Sequence, residues 1–259
     1  MRVPSRVASA LSYFGREALR IVLPSWCVAC GKELEWDARV ASCCSECWDA
    51  LPRIESAKCV SCALPLPSLS ASEPPSLLGG QEARRPGGHL CIECMANPLP
   101  VAWCEAWGAY RDSLEKVLHA LKFAKHDFLD DALAGLLEET LRDRDFDVIL
   151  GVPMSAAKER RRGYNQAELL ARALGRRVDV PCDMLLTRRR EKAAQSLLPK
   201  RARAANVRGA FQASPRTKGK SILIVDDICT TGETLRACAS ALVHAGASRV
   251  CAVTVAKTV

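Results

Sequence analysis

No stretch of this 259-residue chain approaches the roughly 20 consecutive apolar residues of a membrane-spanning helix. The uninterrupted apolar core of a signal peptide is missing too. The apolar residues near the N-terminus (Val7, Leu11, Phe14, Leu19, Ile21, Val22, Leu23) are broken up by Arg6, Arg16, Glu17 and Arg20. This pattern predicts an amphipathic helix over 1–23, packed against its own domain, in a cytoplasmic protein. Histidine is scarce, and His89, His119, His126 and His244 show no ligand spacing. Acidic residues are outnumbered: 29 Asp and Glu face 37 Lys and Arg, for a net charge of +8. That balance suits acidic small molecules or nucleic acid and does not choose between them.

Cysteine, by contrast, is abundant. Fourteen are present, and most precede residue 105. They include four Cys-x-x-Cys pairs: Cys27/Cys30, Cys44/Cys47, Cys59/Cys62 and Cys91/Cys94. One such pair offers two thiolates to a tetrahedral zinc, and two pairs close a structural site. A disulfide framework would need an oxidising compartment, for which the N-terminus supplies no export signal. Two structural zinc sites are therefore expected in a ribbon region over 24–100. Sequential pairing gives Cys27, Cys30, Cys44 and Cys47 as one site and Cys59, Cys62, Cys91 and Cys94 as the other. Interleaved pairing stays open, and Cys43 and Cys104 are left over. A Pro/Ser/Gly-rich insert over 63–90 reads as a flexible surface loop, tolerable because loop-closure entropy grows slowly with length.

The pattern changes after Trp103. Leucines recur at helical spacing at Leu114, Leu118 and Leu121, and again at Leu129, Leu133, Leu136 and Leu137. Buried strands are predicted at 148–153, 184–186, 222–225 and 250–255, with helices over 155–176 and 231–245. Alternating strand and helix indicates an α/β domain over 101–259, a parallel sheet flanked by helices. Sites in such sheets lie beyond the carboxyl ends of the strands, which would bring Pro153 and Asp226 to one pocket.

The stretch Ile222-Leu-Ile-Val-Asp-Asp-Ile-Cys-Thr-Thr-Gly-Glu-Thr-Leu235 is the most informative. A β-branched run leads into Asp226 and Asp227, and a Thr/Gly loop then opens a helix. Backbone N–H groups and hydroxyls at the positive end of a helix form an anion site. Acids beside that cradle suit a ligand with both a sugar diol and a phosphate. Two basic stretches precede this motif in sequence. The first, over 152–166, carries Lys158, Arg160, Arg161 and Arg162, whose guanidinium forks match pyrophosphate oxygens. The second, over 187–206, reads as a mobile lid or a nucleic-acid contact surface. It lacks aromatic residues, which argues against base stacking there.

The acid-pair segment resembles the ribose-phosphate motif of type I phosphoribosyltransferases, which bind phosphoribosyl pyrophosphate (PRPP). The resemblance narrows to the ComF family on Leu121-Lys-Phe123, Arg162-Gly-Tyr-Asn-Gln166, Gln195 and Arg203-Ala-Ala-Asn-Val-Arg-Gly-Ala-Phe211. It implies a phosphoribosyltransferase-like sheet preceded by a small double zinc-ribbon domain. It assigns Asp226 and Asp227 to the sugar and the catalytic charge. Thr230, Thr231, Gly232, Glu233 and Thr234 go to the 5′-phosphate. Pro153, Met154, Ser155, Ala156, Arg160 and Arg162 go to the pyrophosphate, with Gln195 and Arg203 completing the substrate contacts. Glu233 stands where a small residue is usual, and it adds negative charge beside the anion. Magnesium is expected with PRPP, and the acceptor is not specified. The alternative that the family implies is a non-catalytic competence factor, contacting single-stranded DNA and docking on a helicase-like partner.

Overall fold

Four strands build one parallel sheet. They are β1 (Cys104–Ala109), β2 (Val148–Gly151), β5 (Ser221–Cys229) and β6 (Arg249–Lys257), in the spatial order β1-β6-β5-β2. Two short strands, β3 (Leu186–Arg188) and β4 (Phe211–Ala213), pair antiparallel beside it. The helices are α1 (Ser45–Asp49), α2 (Ile92–Ala96), α3 (Asp112–Phe123), α4 (Leu129–Glu139), α5 (Ala156–Arg162), α6 (Gln166–Val178) and α7 (Glu233–His244). This computed structural model describes residues 26–34, 40, 42–66, 88–123, 129–189 and 209–259. The expected helix over 1–23, most of the 63–90 insert, Gln195 and Arg203 lie outside the described residues.

The central strands are apolar because both faces are covered. Side chains alternate across the sheet. Leu223, Val225, Val253 and Val255 pack with α3, α4 and α6 on one face. Ile222, Ile224, Val250 and Ala252 pack with Leu235, Cys238 and Leu242 of α7 on the other. The cysteine-rich segments divide in the same way. Cys27, Ala29 and Val40 join the first face, whereas Cys59, Cys62, Cys91, Cys94 and Leu99 join the second. Between them the chain runs along β1, where Ile54 N–H donates to the Trp107 carbonyl at 3.0 Å and Ala109 N–H to that of Pro52 at 2.8 Å.

Several expected boundaries move. The helix predicted over 155–176 is two helices. Gly163, at φ +86°, caps α5 in a left-handed conformation suited to glycine, and the Asn165 side chain caps α6. The strand predicted over 222–225 continues to Cys229, so the acid pair lies within β5 and not after it. The strand predicted over 184–186 begins only at Leu186. β1 has no counterpart in the sequence reading, because Glu105 interrupts its apolar pattern. That carboxylate is buried between Lys58 at 2.7 Å and Arg142 at 2.6 Å. Among the described residues, no helix is long and apolar enough to cross a membrane.

Candidate functional site

Asp226 and Asp227 leave β5 toward opposite faces. Asp227 is buried against the α3 side, where Lys122 Nζ lies 3.1 Å from its Oδ2. Asp226 turns toward α7 and accepts a hydrogen bond from the Asp227 N–H at 2.9 Å. Asp226 is half-buried. Burial, followed by the charge of Asp227, holds Asp226 well above the usual carboxylate range.

Lys122 was not assigned a site role from the sequence, although the Leu121-Lys122-Phe123 element that resembles the ComF pattern marks its position. The Tyr164 hydroxyl donates to the Leu121 carbonyl at 2.5 Å, seating the end of α3. The Lys122 ammonium also lies 5.9 Å from the Tyr110 ring centroid. Removing one partner of a buried pair strands the other charge. Lys122→Met should therefore cost about 2–3 kcal/mol of stability. Adding Asp227→Asn should recover most of that loss. Chemical denaturation of both variants checks the coupling, and simple additivity of the two changes would refute it.

The loop after β5 turns on Gly232, which is at φ +80° and serves as the N-cap of α7. Thr230 and Thr231 are exposed, and the Thr231 hydroxyl accepts from the Glu233 N–H at 3.5 Å. Behind the loop, the buried Lys257 at the end of β6 donates its ammonium to the Thr230 carbonyl. Sequence reasoning missed Lys257, which reads there only as a residue after an apolar strand. The added charge of Glu233 is met locally, since Arg236 Nε donates to its carboxylate at 3.2 Å.

The segment carrying Pro153, Met154, Ser155 and Ala156 leaves β2 beside the acid pair. Gly151 stands opposite Val225 in register, and Val152 N–H donates to the Val225 carbonyl at 3.0 Å. Asn165 fixes the same segment from the other side, donating through Nδ2 to the Val152 carbonyl at 3.0 Å. Ser155 caps α5, with its Oγ 3.4 Å from Lys158 N. The basic residues that follow are placed unequally. Arg160 is exposed, whereas Arg162 is half-buried and donates to Gln166 Oε1 at 2.5 Å.

The cysteines group in sequential pairs. Ligand atoms of Cys27, Cys30, Cys44 and Cys47 lie within 4.8 Å of one another, as do those of Cys59, Cys62, Cys91 and Cys94. The Cys30–Cys44 and Cys62–Cys91 sulfur separations are 3.8 Å and 3.7 Å. A tetrahedral metal with bonds of about 2.3 Å to sulfur sets that edge at about 3.8 Å. Four sulfur donors with this spacing fit zinc. Cys43 and Cys104 fall outside both groups, and burial pushes the Cys43 thiol up to about 12.

A parallel sheet with an acid pair on its central strand, followed by a glycine-capped helix start, defines a phosphoribosyltransferase-fold protein. A family model described as a phosphoribosyl transferase domain matches residues 123–258. The chain is 34% identical to the DNA utilization protein YhgH of Escherichia coli (strain K12), across 62% of this chain and 75% of that protein. It is 28% identical to Competence protein ComFC of Streptococcus pneumoniae, across 64% of this chain and 80% of that protein. It is also 31% identical to Competence protein F of Haemophilus influenzae, across 49% of this chain and 61% of that protein. A solved glutamine PRPP amidotransferase from B. subtilis is 19% identical, with a TM-score of 0.40 over 53% of this chain and 30% of that one. The chain belongs to the ComF family.

Proposed function

We propose that the protein binds magnesium-PRPP where β2, β5 and the start of α7 meet. It then transfers or hydrolyses the phosphoribosyl group with release of pyrophosphate. The observation that carries this reading is the convergence of the Asp226–Asp227 pair, the Gly232 turn and the 152–155 segment at one sheet edge. The α7 N-terminus and the hydroxyls of Thr230, Thr231 and Thr234 receive the 5′-phosphate, with Lys257 adding positive charge behind them. The half-buried Asp226 meets the ribose hydroxyls, and Asp227, held by Lys122 on the other face of β5, adds to the negative charge that stabilises the ring as it becomes positive. Residues 153–156 and Arg160 orient the leaving pyrophosphate, so rate comes from positioning and electrostatics. Magnesium, when bound, supplies neutralisation of the pyrophosphate charge. Zinc in both cysteine groups acts as a structural cross-link.

Calorimetric titration of the zinc-loaded protein with PRPP and magnesium tests the reading. Binding is expected in the wild type, with at least about a hundredfold loss in Asp226→Asn/Asp227→Asn. A folded wild type that takes no PRPP refutes the assignment. The relatives' names and the net charge of +8 would then favour contact with single-stranded DNA, whose affinity falls steeply with salt.

A further inference from the structure

The second cysteine group lies directly against the loop to which the phosphate is assigned. Asn97, Pro98 and Leu99 follow α2, the helix that carries Cys94. Arg236, in the first turn of α7, spreads its guanidinium over them. It donates to the Asn97 carbonyl at 2.7 Å, Asn97 Oδ1 at 3.0 Å and the Pro98 carbonyl at 2.8 Å. The same side chain holds Glu233, the first residue of α7. Leu99 packs under Gly232, where an added Cβ would stand 3.4 Å from its Cδ1. Cys229, the last residue of β5, donates its thiol to the Cys62 carbonyl at 3.8 Å. Within the module, Leu99 N–H donates to the Ser61 hydroxyl at 2.7 Å, between ligands Cys59 and Cys62.

Loop, helix start and metal-ligand turn thus form one connected unit. A metal held by Cys59, Cys62, Cys91 and Cys94 joins the 59–62 turn to α2 across the long insert. The chain leaving α2 is what Arg236 grips. The first cysteine group has a different footing, joining α3 on the opposite face through Lys116 Nζ, which donates to the Ala29 carbonyl at 2.7 Å.

We propose that the second cysteine group, acting through the positioning residue Arg236, braces the phosphate loop, so that metal occupancy there sets how tightly the site takes its anion. The statement about affinity rests on the phosphate role proposed above, whereas the brace itself does not. Lysine at position 236 keeps the charge but cannot reach three acceptors and Glu233 at once.

The test uses full-length, zinc-loaded protein and two readouts: amide hydrogen exchange over 229–235 and titration with magnesium-PRPP. Arg236→Lys should speed exchange in that segment about tenfold and weaken PRPP about tenfold, as loss of charge-assisted hydrogen bonds implies. Arg249→Lys is the control. Arg249 makes a comparable fork, to Asp143, but from the start of β6 at the far end of the sheet. It should leave exchange over 229–235 unchanged. Cys62→Ser should reproduce the Arg236→Lys exchange pattern, and the double variant should add little beyond either. Unchanged exchange in Arg236→Lys overturns the brace, as does full additivity with Cys62→Ser. If Cys62→Ser does not fold, the Arg236→Lys and Arg249→Lys pair decides alone. Faster exchange in Arg236→Lys with no PRPP binding by any form would retain the brace and remove the ligand assignment.

Discussion

Asp226→Asn is expected to stabilise the ligand-free protein while removing its affinity for PRPP. The carboxyl of Asp226 is held well above its ordinary range, first by burial and then by the neighbouring charge of Asp227. The folded chain therefore keeps a proton on this group at pH values where the unfolded chain has lost it. The favourable contribution is complete below about pH 4, where both states are protonated. It is lost as pH rises through the raised folded value, because the folded state must then hold a buried charge or an extra proton. Asparagine is similar in shape and has no charge to bury. Relative to wild type, the variant should be more stable at pH 8 and gain almost nothing at pH 4. Urea denaturation of both proteins at the two pH values measures this. A variant less stable than wild type at pH 8 would contradict the argument. The expected loss of ligand affinity has the same origin. A carboxylate that is costly in the empty site is stabilised by cationic charge brought with the ligand, so binding by the wild type should release protons. Wild-type calorimetry in two buffers of different ionisation heat reads that release.

The second large effect is an unequal response of the two cysteine groups to metal removal. Cys59, Cys62, Cys91 and Cys94 are all buried and belong to the core on the α7 face. In the first group Cys30 is exposed, and Cys44 and Cys47 are half-buried. Structural zinc contributes folding free energy directly, because the unfolded chain has no preformed site. A chelator should take the metal of the first group early, lowering the melting temperature by only about 3 °C. Loss of the second should coincide with unfolding of the sheet domain, with a fall of about 10 °C or more. Zinc release followed by a colorimetric indicator, in parallel with thermal melts, distinguishes the two steps. Simultaneous release with an unchanged melting temperature would show that neither group supports the fold. Protein purified under reducing conditions without metal would remove zinc from the account.

Features confined to neighbouring residues were legible without coordinates. The Cys-x-x-Cys spacing expresses a local geometry, in which two thiolates a few residues apart can share one ion. The strand, acid pair, Gly232 turn and helix run consecutively, so their order survives as text. Strand ends were less legible. β5 passes through its two aspartates because their side chains diverge to separate partners while the backbone continues its ladder with β6, in register from Ser221–Arg249 to Cys229–Lys257. β1 was missed because Glu105 reads as exposed, and only Lys58 and Arg142 make its burial tolerable.

The sequence by itself determined the sulfur donor pairs, the parallel α/β class and the acid-pair and Thr/Gly-loop motif, since each depends on short-range spacing and on apolar runs that need two covered faces. Only the tertiary structure decided which pairs come together into a group of four sulfur donors, that Lys122 pairs with Asp227, and that Lys257 stands behind the loop. It also decided that the charge of Glu233 is absorbed by Arg236, whose carbonyl partner on Asn97 lies 139 residues away. These are contacts between distant segments. Their energies depend on distance and enclosure, which arise once the chain has folded back on itself.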